Sequence, residues 1–196
     1  MRNARVALFV VVVAGLTVGC LSVKSYVDPQ LPKIGYGDLL PRRDLRPAIL
    51  TVTFHRDDEP ASLGASRARD EVRTVFERSK LFSAVTDTAT GDADRFDVVL
   101  DDRGDVSDAT AKGMLASITF GGAGSRVTNG YLFTVKFQKT GSEPVTKIYR
   151  HAIHSTIGNA DGPPGLVPMG ISEAFSKVVE ELVLNLLLDL QKEERL

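Results

Sequence analysis

Cysteine and tryptophan are nearly missing from this chain of 196 residues, which holds one cysteine and no tryptophan. A single cysteine excludes a disulfide within the chain. Aromatic residues make up 7% of the sequence, which argues against a platform on which sugars or bases would stack. Basic and acidic residues number 24 and 25, and a balance so close to neutral lacks the basic footprint of a nucleic-acid-binding protein.

The first 20 residues have the three parts of a secretory signal. Arg2 and Arg5 make a basic start, residues 6–18 carry no charge, and small residues precede Cys20. The apolar run is shorter than the roughly 20 residues that a membrane-spanning helix needs. An acylated signal, a plain signal peptide and an uncleaved anchor are the alternatives that this pattern leaves.

Residues 17–20 resemble the end of a bacterial lipoprotein signal, in which the cysteine is acylated and becomes the mature N-terminus. Leu16 stands one place earlier than the usual leucine of such signals, and Thr17 occupies that position. The resemblance implies a palmitate-bearing Cys20, a membrane anchor made of lipid, and no thiol left for catalysis. Leu21 follows the cysteine where aspartate would favour the inner membrane, so we expect the outer membrane, facing the periplasm.

Composition divides the chain into three parts. A signal peptide is expected over residues 1–19. Residues 20–47 hold four prolines and two glycines after position 28, which excludes a continuous helix or a central strand, so we expect a lipidated N-terminus and a partly extended tether. Residues 48–196 then form one globular domain, with enough chain for an ordinary core.

Hydrophobic periodicity predicts an α+β domain. Alternating and β-branched patterns predict strands over 48–54, 81–85, 95–101, 131–138 and 145–156. Apolar residues at helical spacing predict a helix from Ser66 to Ser79 and another of about 20 residues from Ile171. We expect a single two-layer domain, with a mostly antiparallel sheet of about four to five strands and two main helices packed on it.

Neither the histidines nor the glycine cluster fits a site that performs chemistry. His151 and His154 are three apart on a predicted strand, so they point to opposite faces and are not a metal-ligand pair. The glycines of residues 121–124 are followed by serine and arginine, whereas a phosphate-binding Walker loop needs lysine and a hydroxyl residue. We expect a plain loop there.

An acidic run follows the third predicted strand, with Asp101, Asp102, Asp105 and Asp108. It lacks the alternating acids, glycine and distant glutamate of an EF-hand loop, so an acidic surface turn is favoured over a weak cation site. We therefore predict no catalytic residue, no metal, no cofactor and no enzymatic activity.

Two loops carry large apolar side chains. Strands 131–138 and 145–156 form a hairpin, so the loops that leave its outer ends, residues 112–130 and 157–170, lie side by side. They are either a surface for a partner or a membrane, or a small lid folded back on the core. The candidate partner-binding residues are Met114, Leu115, Ile118, Phe120, Leu166, Val167 and Met169.

The order strand, helix, strand, strand, hairpin and closing helix is similar to small α/β modules of bacterial envelope lipoproteins, of the TolB N-terminal, CsgG and LpoB types. The similarity covers residues 48–100 best, above all the helix that leads into residues 79–85. It implies a non-enzymatic accessory or assembly factor that binds another cell-envelope protein. The alternative is a periplasm-facing carrier that holds a lipid or other apolar ligand between helix and sheet.

Overall fold

A computed structural model describes residues 23–88, 91–105 and 125–196. The strands in these ranges are β1 (Val23–Val27), β2 (Ala48–Arg56), β3 (Glu59–Pro60), β4 (Val85–Thr86), β5 (Asp94–Asp105), β6 (Ser125–Gln138) and β7 (Val145–Ile157). The helices are α1 (Ala65–Ser79) and α2 (Ile171–Lys192), and a 3₁₀ turn spans Tyr36–Asp38. None of the described helices combines the length and the apolar character needed to cross a bilayer.

All seven strands belong to one sheet, in the order β1-β7-β6-β5-β2-β3, with β4 also paired to β2. Strand β2 runs parallel to β4 and β5, and the remaining pairs are antiparallel. The prediction of a single α+β domain with two main helices is confirmed. The sheet is larger than the four to five strands predicted, and it is mixed, with two parallel pairs beside the antiparallel ones. Helix α1 is a crossover between β2 and β5, and a crossover of that kind makes the two strands parallel.

Strand β1 was not predicted, because it lies in the proline-rich segment that the sequence marks as a tether. It ends before Pro29 and pairs with β7, Val23 with Ile157 and Val27 with Ile153, so the prolines do not interrupt its hydrogen bonds. The chain stays on the domain after β1. Leu39 is buried, and the amide of Asn185 in α2 donates to the carbonyl oxygen of Pro32 at 3.0 Å.

Both helices pack on one face of the sheet, here called the helix face, and the core lies between them. Phe96 of β5 is fully buried and meets the ring of Phe76 in α1 edge-on, with centroids 4.9 Å apart. Leu182 is among the side chains of α2 that are fully buried. Side chains therefore fill the space between helices and sheet, which is where the carrier alternative would hold its ligand.

The connections around α1 differ from the prediction by a few residues. Helix α1 is preceded by Gly64 rather than capped by Ser66, and Gly64 has φ +91°, where a side chain would be strained and its Cβ would lie 3.2 Å from the ring of Phe54. Of the predicted strand 81–85, only Val85 is in a strand. Leu81 and Phe82 are buried in irregular chain instead, which explains why their apolar run resembled a strand.

Candidate functional site

Of the predicted site residues, only those of the second loop can be placed. Cys20, Met114, Leu115, Ile118 and Phe120 lie outside the described residues. In the second loop, Leu166 and Met169 are half-buried. Val167 is 73% exposed.

Residues 158–170, here called the crossing loop, pass over the face of the sheet opposite the helices, here called the outer face. Gly162 lies on the ring of Tyr26, close enough that an added Cβ would overlap the ring and its hydroxyl. Tyr26 is only 5% exposed. The Arg126 side chain of β6 donates through Nε to the carbonyl oxygen of Asp161 at 2.9 Å. The loop is thus attached to the sheet at two points before it turns around the edge.

Met169 completes the sheet edge beside β1. It exchanges two backbone hydrogen bonds of 2.9 Å with Ser25, one in each direction. This bridge covers part of an edge that would otherwise present unpaired backbone groups. Of the candidate residues in this loop, Met169 therefore has a structural contact, whereas Val167 is the one that remains exposed.

The two histidines of β7 lie on opposite faces, as strand alternation predicts. His151 points to the helix face, where its Nε2 lies 2.9 Å from the carboxylate of Glu181 in α2, and both side chains are at least 96% buried. Its Nδ1 accepts the backbone N–H of Ala152 at 3.0 Å, so Nε2 carries the ring proton and donates it to Glu181. His154 lies on the outer face between Thr128 and Asp28. Each histidine joins two elements of the fold.

The acidic run at the end of β5 is paired with arginine as far as it is described. Asp101 accepts Arg103 Nε at 2.7 Å and the backbone N–H of Asp58 at 3.3 Å, and Arg103 also binds the carboxylate of Asp58. These contacts join β5 to the β2–β3 turn. The exposed side-chain pair with Asp58 raises the pKa of Arg103.

The part of the chain that the structure describes holds no group of three or more His, Cys, Asp or Glu side chains that could bind a metal ion. Asp108 and the side chain of Asp105 lie outside that part.

A groove of about 210 Å³ lies between α1 and α2. Its side chains are mostly charged, and pairs of them join the two helices: Arg78 lies 3.3 Å from Glu180, and Ser176 donates to Glu71. A second, polar hollow lies near the end of α2. Its lining is unlike that of a site for an apolar ligand.

One row of side chains crosses the open part of the outer face, and it was not predicted. Strand register places Thr53, Val99, Thr134 and Ile148 side by side on β2, β5, β6 and β7, and we call these four residues the outer row. Ile148 is 56% exposed, Thr53 is exposed, and the other two are half-buried. The sequence could not show this row, because register between distant strands is a non-local property.

Charged residues flank the outer row. On one side Asp97 and Lys136 are paired in register, and on the other Arg150 lies beside Leu132. The result is a surface of four strands whose centre holds two threonines, a valine and an isoleucine, with charged residues on both sides. A surface of this kind is typical of contact with another protein rather than with a small molecule, which needs a concave site.

Three tyrosines contact α2. Tyr36 lies in the segment between β1 and β2, and Tyr131 and Tyr149 lie on the β6–β7 hairpin. Burial, aided by Glu180, raises the pKa of Tyr36 to about 12. Burial, aided by Asp102, does the same for Tyr131, also to about 12. Burial again raises the pKa of Tyr149, whose hydroxyl donates to Asp189 at 2.8 Å. All three hydroxyls are kept protonated in the folded state.

No protein-family model matches this chain, and no curated protein matches it. Solved structures that align with most of this chain include two of low identity. A neuraminyllactose-binding hemagglutinin homolog from Helicobacter pylori shares 9% identity and a TM-score of 0.45, over 86% of this chain and 93% of its own. A PelC dodecamer from Paraburkholderia phytofirmans shares 11% identity and a TM-score of 0.35, over 85% and 96%. Likenesses of this size do not bear on function.

Proposed function

We propose that this chain is a lipid-anchored protein of the bacterial cell envelope, held by Cys20 in the outer membrane and facing the periplasm. In that position it acts as a non-enzymatic accessory or assembly factor that binds another envelope protein. The signal-like residues 1–20 support the anchor. The observation that carries the binding role is the outer row, which leaves β-branched side chains exposed on a sheet whose helix face is packed by α1 and α2.

The two faces of the sheet differ in what covers them. On the helix face, Val52, Phe54 and Val98 are buried under α1 and α2, as the core of one domain requires. On the outer face, the crossing loop covers Tyr26 near β1, while Ile148 stays more than half exposed. Covering the exposed isoleucine in this row of β-branched side chains lowers the free energy, so binding of a partner there is favoured.

The charged side chains around the row would orient a bound partner. Lys136 and Arg150 are exposed on neighbouring strands, and Asp97 beside Lys136 is half-buried, so a partner with an acidic group opposite Arg150 would fit best. Val167 of the crossing loop is a second exposed apolar residue, and we include it in the proposed surface. The loop residues Met114, Leu115, Ile118 and Phe120 remain candidates for the same role.

Site-specific photo-crosslinking in intact cells tests the binding role. A photoreactive side chain at Ile148 is expected to give one discrete adduct with an envelope protein, and Thr134→Lys in the same chain is expected to remove that adduct. The matched control places the photoreactive group at Leu40, another exposed apolar position, which is 67% exposed and lies beside α2 on the helix side of the sheet. Equal adducts at both positions, or none at Ile148, would contradict the proposed surface.

Palmitate labelling with membrane fractionation tests the anchor. Wild-type chain is expected to take up label and to sediment with the outer membrane, whereas Cys20→Ala is expected to lose both. An unlabelled wild type that stays in the periplasm would refute the anchor. In that case the crosslinking result would still report on the outer row, because the row does not depend on the lipid.

A further inference from the structure

The proposed anchor and the sheet are separated by very little chain. Strand β1 begins at Val23, so three residue steps separate it from Cys20. Three steps of extended chain span at most about 11 Å. A lipid on Cys20 therefore keeps the domain close to the bilayer, and it brings the first residues of β1 close to the phospholipid headgroups.

We propose that one corner of the sheet rests on the phospholipid headgroups beside the anchor. This N-terminal corner consists of Val23, Lys24, Arg126 and Ile171. The proposal rests on the acylation of Cys20 proposed above, and it adds which surface of the domain meets the membrane and which chemistry it meets there.

Strand register brings the corner together. Val23 pairs with Ile157, which pairs with Ser125, so the start of β1, the end of β7 and the start of β6 meet at one end of the sheet. Ile171 lies at the same end of the sheet. The antiparallel bridge between Ser25 and Met169 places the residues before Ser25 beside those after Met169. The first turn of α2 thus starts where β1 starts.

The apolar part of the corner is exposed. Val23 is 51% exposed and Ile171 is 52% exposed, which places two large aliphatic side chains at the end of the molecule nearest the lipid. In water about half of each residue is left uncovered by the rest of the described chain. At a bilayer they can lie in the boundary between headgroups and acyl chains, as apolar side chains of membrane-surface proteins do.

The basic part of the corner is also exposed. Lys24 and Arg126 both pair in register with Thr156, so they flank it on the outer face, about two strand spacings or roughly 10 Å apart. Neither forms an ion pair with any residue in the described ranges. Arg126 binds the backbone carbonyl of Asp161 through Nε only, so its two terminal nitrogens can donate to a phosphate.

Lipid-quenching in vesicles tests the orientation. Cys20 is the only cysteine, so in the acylated full chain an introduced cysteine is the one free thiol and can carry a fluorophore. Labels at Ile171→Cys and at Leu40→Cys lie at opposite ends of α2, since Leu40 binds Gln191, roughly 30 Å from Ile171. The vesicles contain phosphatidylethanolamine, phosphatidylglycerol and a nitroxide-labelled lipid.

Quenching at Ile171→Cys is expected to exceed quenching at Leu40→Cys by at least about twofold. Val23→Cys should agree with Ile171→Cys. Equal quenching at the two ends of α2, in protein that carries palmitate, would overturn the corner while leaving the anchor intact. Failure of acylation would show itself separately, because the thiol of Cys20 would then take up the fluorophore in the wild-type chain, and it would overturn both proposals.

Charge reversal tests the basic part of the corner. Lys24→Glu with Arg126→Glu is expected to lower quenching at Ile171→Cys by about half or more, while the lipid keeps the protein on the vesicles. The matched control is Arg69→Glu with Arg95→Glu, two exposed arginines elsewhere with the same change of charge. Equal effects of the two double variants would overturn the role of the headgroup phosphates.

Discussion

His151 and His154 show how one residue type takes different roles three positions apart. His151 is buried against Glu181, and His154 is part-exposed beside Thr128 and Asp28. Strand alternation alone decides this difference. If His151 or Glu181 lost its partner, an unpaired polar atom would remain in the core. The pair therefore fixes the position of α2 on β7.

A double-mutant cycle measures that constraint. His151→Leu is expected to lower the free energy of unfolding by about 3 kcal/mol, because it leaves the Glu181 carboxylate buried without its donor. The double variant with Glu181→Leu is expected to recover most of the loss, since two apolar side chains then fill the space. Urea unfolding of the four proteins checks this.

His154→Leu is the control, with an expected loss of about 1 kcal/mol or less, because water reaches that side chain. A loss at His151 no larger than the loss at His154 would show that the buried pair does not constrain the helix.

The crossing loop has a defined path because a glycine stands where it meets the sheet. Gly162 contacts the ring of Tyr26, and Met169 then bridges Ser25. The sequence correctly indicates a glycine- and proline-rich loop, but its docking on the outer face depends on Tyr26, about 136 residues earlier in the chain. Contacts at that separation leave no local pattern, and this is why neither β1 nor its cover could be predicted.

Gly162→Ala is expected to destabilise the domain by about 1–3 kcal/mol, because the new methyl group overlaps a buried ring that has little room to move. Limited proteolysis is expected to cut within residues 158–170 faster than in the wild type. Gly37→Ala is the control, since a Cβ there would meet nothing within 4 Å. Similar melting curves for both alanine variants would contradict the close packing of the loop on Tyr26.

At the scale of the whole molecule, the sequence predicts the elements better than their arrangement. The strands around residues 95–101, 131–138 and 145–156 and both helices are confirmed, because each has a clear local period. The parallel pairs, the two added edge strands and the outer row depend on register between distant strands. The predicted site stays a prediction, since most of its residues fall outside the described ranges.

Alkaline pH is expected to weaken the fold as a whole. The pKa of Tyr36 and of Tyr131 is raised to about 12, and that of Tyr149 is raised as well, from an unfolded value near 10. The folded state therefore binds these protons more tightly than the unfolded state does. The resulting stability is fully present below pH 10 and is lost as the pH rises through about 12.

Urea midpoints measured from pH 8 to pH 12 check this expectation, with Tyr149→Phe for comparison. The variant loses a hydrogen bond to Asp189, so it should be less stable at pH 8 by about 1–2 kcal/mol and should decline less steeply above pH 10. Parallel curves for the two proteins would show that Tyr149 does not contribute to the alkaline transition.

Strand β1 also determines when the domain can be completed during its synthesis and export. It pairs with residues 153–157 of β7 and bridges Met169, so β1 cannot join the sheet until those residues have been synthesised. Closing so long a loop is slow compared with forming the β6–β7 hairpin. If Cys20 carries the proposed lipid, pairing of β1 with β7 fixes the short distance between the anchor and the sheet.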